Sequence, residues 1–183
     1  MTFDEAYKLL MEDDIIILPE EINHDTYVLL LRLLHSGRNK AIDLYCRGDG
    51  GSSRDALAMA DLIRAHGEVT GLLAGAANSS HATIWASCAT RYVYPLATIG
   101  LHRVSWSEVP HVDARSARLV SAEFEATDRC IAGILAGAAK PEYNSDYWWT
   151  LLQDTGSRGV QEFTAQQMID MGMALPIAKR VLA

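Results

Sequence analysis

An apolar, strand-like segment, Val69-Thr70-Gly71-Leu72-Leu73-Ala74, passes through the small residues Gly75-Ala76-Ala77-Asn78-Ser79-Ser80 into an apolar, helix-like stretch that ends near Cys88. A strand that turns straight into a helix is half of a βαβ unit, and a series of such units builds a parallel sheet with helices packed on it. The same alternation runs through the first hundred residues. Strand-like runs at 14–18 and 40–46 alternate with helical periodicity at 23–34 and 53–65. In parallel sheets the loops after the strands carry function. Two loops here follow strands, Gly48-Asp49-Gly50-Gly51-Ser52 and Gly75 to Ser79. They can therefore lie side by side at one edge.

Further elements follow from the same reading. Apolar spacing predicts a first helix over 3–11, with Asn23 capping the next one. Short strands are expected at 91–95 and 98–102. A long helix spans 113–139, broken towards its end by Gly133 and Gly137, and another starts at Asn144 or Ser145. Thr164 with Gln167 has the spacing of a capping box, and a last strand-like run covers 174–178. With 183 residues, 49% of them apolar, and no linker or repeat, the chain reads as one domain.

Chemistry enters through Ser79 and His102. A serine at a tight strand-to-helix turn has an exposed hydroxyl, and the free N–H groups of the first helical turn can face a developing oxyanion. His102 ends the strand-like run Thr98-Ile99-Gly100-Leu101. Taken singly, each feature has a plainer reading. Ser79 or Asn78 can be only a helix cap, His102 only structural, and the Gly-rich loop a turn, a phosphate cradle or half of an oxyanion hole. The loop lacks the Gly-Lys-Ser/Thr of a phosphate-binding P-loop. His81, two residues from Ser79, points to another helix face and makes a poor base. His24, His35 and His66 fall near helix ends and His111 in a loop.

Net charge is −7 without a basic stripe, which argues against nucleic-acid binding. Cys46, Cys88 and Cys130 are odd in number and lie in apolar contexts, so all three are expected as buried, reduced thiols. No Cys/His cluster suggests a metal, and no cofactor is expected. The N-terminus is acidic, without signal-peptide character, and no apolar run reaches membrane-spanning length, so a soluble cytoplasmic protein is expected.

The order and spacing of these motifs resemble the ClpP family, the proteolytic subunits of Clp proteases, over nearly the whole chain. Phe3-Asp4-Glu5-Ala6-Tyr7-Lys8-Leu9-Leu10 is similar to that family's first helix. Residues 41–52 resemble its strand leading into Ser-Pro-Gly-Gly. Gly75-Ala76-Ala77-Asn78-Ser79 resembles its Gly-x-Ala-Ala-Ser elbow, and Ile99-Gly100-Leu101-His102 the segment that ends in its catalytic histidine. Phe163-Thr164-Ala165 with Met171-Gly172-Met173 resembles its late signature. The resemblance implies an α/β, ClpP/crotonase-like spiral of βαβ units. Residues 1–112 and 140–183 would form a head, and 113–139 a protruding handle-like helix, where Ala122, Phe124, Ile131, Ile134 and Leu135 could make an interface.

The resemblance also implies roles: Ser79 as nucleophile, His102 as base, and the N–H groups of Gly51 and Ser80 as the oxyanion hole of a serine endopeptidase. Its substrate would be short or unfolded peptides, and its assembly a homo-oligomeric ring, a heptamer or a tetradecamer. Three departures stand out. Gly48-Asp49-Gly50-Gly51 replaces Ser-Pro-Gly-Gly, and Asn78 replaces an alanine. The family's acid aligns with Gln161, so Asp154 is the first candidate for that role, with Glu162 behind it and a Ser–His dyad steadied by Gln161 the alternative. The chain opens almost on the first helix, without the segment that forms axial gating loops in the family, so a Clp-type ATPase is the least supported partner. Two rival functions stay open: a catalytically degenerate ClpP-like subunit, and an acyl-CoA-binding crotonase-like protein.

Overall fold

The computed structural model describes residues 14–36, 40–105, 113–155 and 159–181. The helix expected over 3–11 and His111 lie outside the described residues. Strands β1 (Ile15–Ile17), β3 (Ile42–Gly48) and β5 (Val69–Asn78) lie side by side and parallel. Beyond β5 the sheet divides. The first half of β5 pairs with β6 (Thr90–Val93), and its second half, Ala76 to Asn78, pairs with β7 (Thr98–Leu101), both parallel. Next to β6 lies β9 (Leu175–Pro176), while β8 (Gln161–Thr164) runs antiparallel to β7. A separate parallel pair joins β2 (Glu21–Ile22) to β4 (Gly50–Gly51).

Seven helices are described: α1 (His24–Ser36), α2 (Ser53–His66), α3 (Ser80–Ala86), α4 (Ala114–Ala138), α5 (Ser145–Asp154), α6 (Ala165–Asp170) and α7 (Ala178–Val181). Polar residues start them as the sequence suggests. Asn23 Oδ1 accepts from Thr26 N at 3.1 Å, Ser52 Oγ from Asp55 N at 3.2 Å and Asn144 Oδ1 from Tyr147 N at 3.0 Å. Thr164 and Gln167 close a capping box. The centre is buried on both faces of the sheet, as a parallel strand flanked by helices requires. Leu44, Cys46, Leu72 and Leu73 are all at most 2% exposed, and Trp85 of α3 is fully buried.

Four expectations need correction. The third strand does not stop at Ala74 but continues to Asn78, because residues 76–78 have β7 as a partner. Helix α4 is continuous over 25 residues. Gly133 sits on its exposed side, and the stripe Ile131, Ile134 and Leu135 is buried enough to hold the turn together. Those three residues belong to the core rather than to a free face. Cys46 and Cys88 are buried, whereas Cys130 is exposed, because it lies off that buried stripe.

One side chain joins distant pieces of this framework. Arg91, on β6, donates to the carbonyls of Cys88, of Met173 at 2.7 Å and of Ala138 at 3.1 Å. Burial pushes its pKa down, yet a guanidinium stays charged at any working pH. Arg91→Met leaves these carbonyls without their donor. It should lower stability by about 3 kcal/mol, a drop of roughly 6–12 °C in Tm by circular dichroism. Arg91→Lys, with a single ammonium, should recover only part. A Tm within a degree of wild type for Arg91→Met would show that water satisfies the carbonyls instead.

Candidate active site

Strand β5 ends at Asn78 and α3 begins at Ser80, so Ser79 alone makes the turn. Its backbone lies at φ 52°, ψ −115°, a conformation that costs a non-glycine residue about 1–3 kcal/mol and persists only where neighbours hold it. Those neighbours are visible. Ser79 N donates to Gly100 O at 2.7 Å, and Ser79 O accepts from Thr83 N at 3.2 Å. The hydroxyl itself forms no cap on α3 and no hydrogen bond among the described residues. A serine that only started a helix would spend its oxygen on the helix. Asn78 does not cap it either. Its side chain lies over Gly100, where a Cβ would stand 2.5 Å from Asn78 Oδ1.

The Gly-rich loop lies directly on this turn. Pairing of β4 with β2 fixes it from one side. On the other, a Cβ placed on Gly50 would stand 2.7 Å from Ser79 Cβ and 3.3 Å from its Oγ, and Gly50 has φ +115°. Only glycine allows both that backbone and that approach. Ser80 Oγ donates to Gly51 O at 3.0 Å, tying the loop to the first turn of α3. The N–H of Ser80 is one of the four that a helix start leaves without an intrahelical acceptor. Gly51 and Ser80 line the same cavity as Ser79 and His102.

His81 completes the anchoring. It is fully buried, and its Nε2 lies 3.0 Å from Pro19 O. A carbonyl only accepts, so Nε2 carries the proton and the partnerless Nδ1 keeps its lone pair. Its ring fills the space that a side chain at position 48 would take, with Cε1 2.6 Å from an ideal Gly48 Cβ. Burial lowers the pKa of His81, opposed by the Pro19 hydrogen bond and by the charges of Glu20 and Asp49. The unfolded chain therefore takes up this proton first as pH falls. Stability is full above about pH 6.5 and declines below it, at most by about 1.4 kcal/mol per pH unit. Urea unfolding from pH 7.5 to 5.5 should show this slope in wild type and a flatter one in His81→Gln. Equal slopes would mean that His81 titrates alike in both states.

His102 follows β7 and faces the same cavity, without a hydrogen bond to Ser79 among the described residues. Such contacts commonly tighten only when substrate binds. Its Nδ1 lies 2.6 Å from Arg103 O. The same donor argument puts the proton on Nδ1 and leaves Nε2 free to take one. The structure does not bring Asp154 to the imidazole. Thr155, one residue on, turns inward from the end of α5, accepting from Arg103 N at 3.2 Å and donating to Leu152 O at 2.7 Å. Asp154, roughly 100° round the helix, is exposed and lines a different groove with Gln161. Gln161 pairs with Leu101 across β7 and β8, and its amide donates to Glu162 O at 3.3 Å. Glu162, opposite Gly100, is exposed. Among the described residues no hydrogen bond joins any of the three to His102.

One acidic residue near the site escaped the motif reading. Asp128 of α4 is fully buried; its Oδ1 accepts from Val104 N at 2.8 Å and its Oδ2 lies 3.4 Å from Arg103 Nε. The signal for it is helical spacing, since Asp128 shares a face with the buried Ile131 and Leu135. Among the described residues no group of His, Cys, Asp and Glu could hold a metal ion.

A parallel sheet thus ends in a strained serine under a glycine loop, with a histidine lining the same cavity. The model of the Clp protease family matches residues 1–143, and the chain belongs to that family. A solved structure described as a peptidase from Plasmodium falciparum superposes with a TM-score of 0.73 at 18% identity, covering 91% of this chain and 96% of that one. At that identity the likeness is one of fold. No curated protein matches the chain, and among the described residues no helix is long and apolar enough to cross a membrane.

Proposed function

We propose that the chain is a serine endopeptidase that cleaves short or unfolded peptides. The observation that carries this is the Ser79 turn: a strained serine whose hydroxyl is not used by its own helix and which shares a cavity with His102. Ser79 Oγ attacks the peptide carbonyl while His102 Nε2 takes its proton. The N–H groups of Gly51 and Ser80 donate to the tetrahedral oxyanion, and the imidazolium returns the proton to the leaving amine. Leu101, Val104, Ile131 and Leu152 line the same cavity, which suits an apolar substrate side chain. The peptide would lie as an added strand beside this edge.

The bond from His102 Nδ1 to Arg103 O favours a Ser–His dyad over a triad with Asp154. The subunit would be a single domain, working in rings of seven, one or two stacked, in a reducing, cytoplasmic setting. Leu119 on α4 and Leu96, 65% and 93% exposed, are apolar surface that such an assembly could cover. A fluorophosphonate probe tests the reading. Wild type should gain one covalent adduct, mapped by mass spectrometry to Ser79. No adduct in any oligomeric fraction rejects the serine mechanism.

A further inference from the structure

The peptide bond between Arg103 and Val104 has a hydrogen bond at each end. Its carbonyl, Arg103 O, lies 2.6 Å from His102 Nδ1, and its N–H, on Val104, donates to Asp128 Oδ1 at 2.8 Å. A carboxylate, a peptide and an imidazole thus form one continuous row. We propose that Asp128 is the missing acid of this site, acting on His102 through the Arg103–Val104 peptide rather than by touching the ring. The inference rests on the serine-peptidase reading above and names how its histidine is oriented and charged.

The physical argument starts from the peptide group. Its C–N bond shares electrons with the carbonyl, so an anion accepting from the N–H draws negative charge onto the oxygen at the other end. That oxygen then accepts more strongly from Nδ1–H. It fixes the tautomer that leaves Nε2 free, and it favours the imidazolium that forms when Ser79 gives up its proton. The proton passes from Ser79 Oγ to His102 Nε2 and on to the leaving amine. Asp128 lies outside this proton's path.

The surroundings of Asp128 suit a field-setting role. Its carboxylate is fully buried, where a charge is screened little. Of its several lone-pair positions, one receives the Val104 N–H and another a long contact from Arg103 Nε at 3.4 Å. Among the described residues, Arg103 is the only charged side chain paired with it. A charge held for stability alone would be expected to be neutralised at close range by several donors. On the far side, Thr155 Oγ accepts from Arg103 N at 3.2 Å, so the segment after His102 is gripped by α4 and α5 together. Asp128 is therefore a positioning residue.

Asp128→Asn tests this, since the amide oxygen can still accept from Val104 N while the charge is gone. The expected result is a fall in kcat of about 10-fold with KM within about twofold, and a shift of the acid limb of kcat/KM to lower pH. That is smaller than the roughly 10⁴-fold loss when a directly bonded acid is neutralised, because a peptide intervenes. Arg103→Gln removes the cation that partly offsets Asp128 and should move the acid limb the opposite way, to higher pH. If Asp128 only anchored the Arg103 side chain, both variants would lose activity together with the limb unmoved, and the inference would be overturned. It is overturned too by Asp128→Asn that turns over like wild type. Should Asp128→Asn fail to accumulate as folded protein, the direction of the limb in Arg103→Gln decides alone. All variants are also timed for fluorophosphonate labelling. An unlabelled wild type rejects the serine reading itself, whereas labelled wild type with an equally fast Asp128→Asn rejects only the role of Asp128.

Discussion

Ser79→Ala should lower hydrolysis of a fluorogenic peptide by roughly 10⁴–10⁶-fold and abolish fluorophosphonate labelling, because no second nucleophile can replace it. Burial pushes the Cys88 thiol up to about 12, and it raises the pKa of Cys46 well above its ordinary value too, so neither supplies thiolate at neutral pH. Cys130 is exposed on α4 and is not among the residues that line the cavity. A companion variant separates chemistry from strain. Ser79→Gly should be as inactive as Ser79→Ala, yet more stable by about 1 kcal/mol. Relief of the positive φ outweighs glycine's extra freedom in the unfolded chain. That is a rise of roughly 2–4 °C in Tm, while Ser79→Ala, which keeps the strained backbone, should stay near wild type. Peptide turnover in Ser79→Ala within 100-fold of wild type would show that another group attacks.

That strain also marks the border between what the sequence showed and what it hid. The βαβ order, the caps at Asn23 and Thr164 and the burial of the sheet were legible because period and cap chemistry are local. Motif order singled out Ser79 and His102 together, and the two line one cavity. The true end of β5 was not legible. Gly75 to Asn78 read as a turn from composition, but Ala76, Ala77 and Asn78 are strand because β7 comes back to pair with them. The same reason hid Asp128. Its partners, Arg103 and Val104, lie 25 and 24 residues away and are reached only when α4 folds back onto the segment that follows β7. The resemblance places an acid two residues before Phe163, and there the chain has Gln161, facing Leu101.

Two departures from the family's motif also make sense only as pairs. Position 48 is glycine, and His81 fills the space that a side chain there would occupy. Position 78 is asparagine, and it lies over Gly100, which has no side chain to meet it. Read singly, each looks like a loosened turn or an intruding polar group. Read together, they show a site whose loops are held by side-chain packing where the family's pattern has a proline-restrained turn.

The glycine loop gives the second large effect. Gly50→Val should cut kcat/KM at least about 10³-fold and slow fluorophosphonate labelling in proportion, with a lower Tm. Its Cβ would start 2.7 Å from Ser79 Cβ, and its backbone would hold a β-branched residue at φ +115°. The loop must therefore retreat from the serine. As it does, it carries away the Gly51 N–H and loosens the bond from Ser80 Oγ to Gly51 O. Loss of one oxyanion donor alone is worth about 10²–10³ in rate, and displacement of the nucleophile adds to it. Gly133→Ala is the matched control. A Cβ there meets nothing within 4 Å, on the exposed side of α4, so it should gain up to about 1 kcal/mol of stability and keep full activity. If the loop were only a surface turn, Gly50→Val would lose stability but still label at the wild-type rate, and Gly51 would have no part in holding the oxyanion.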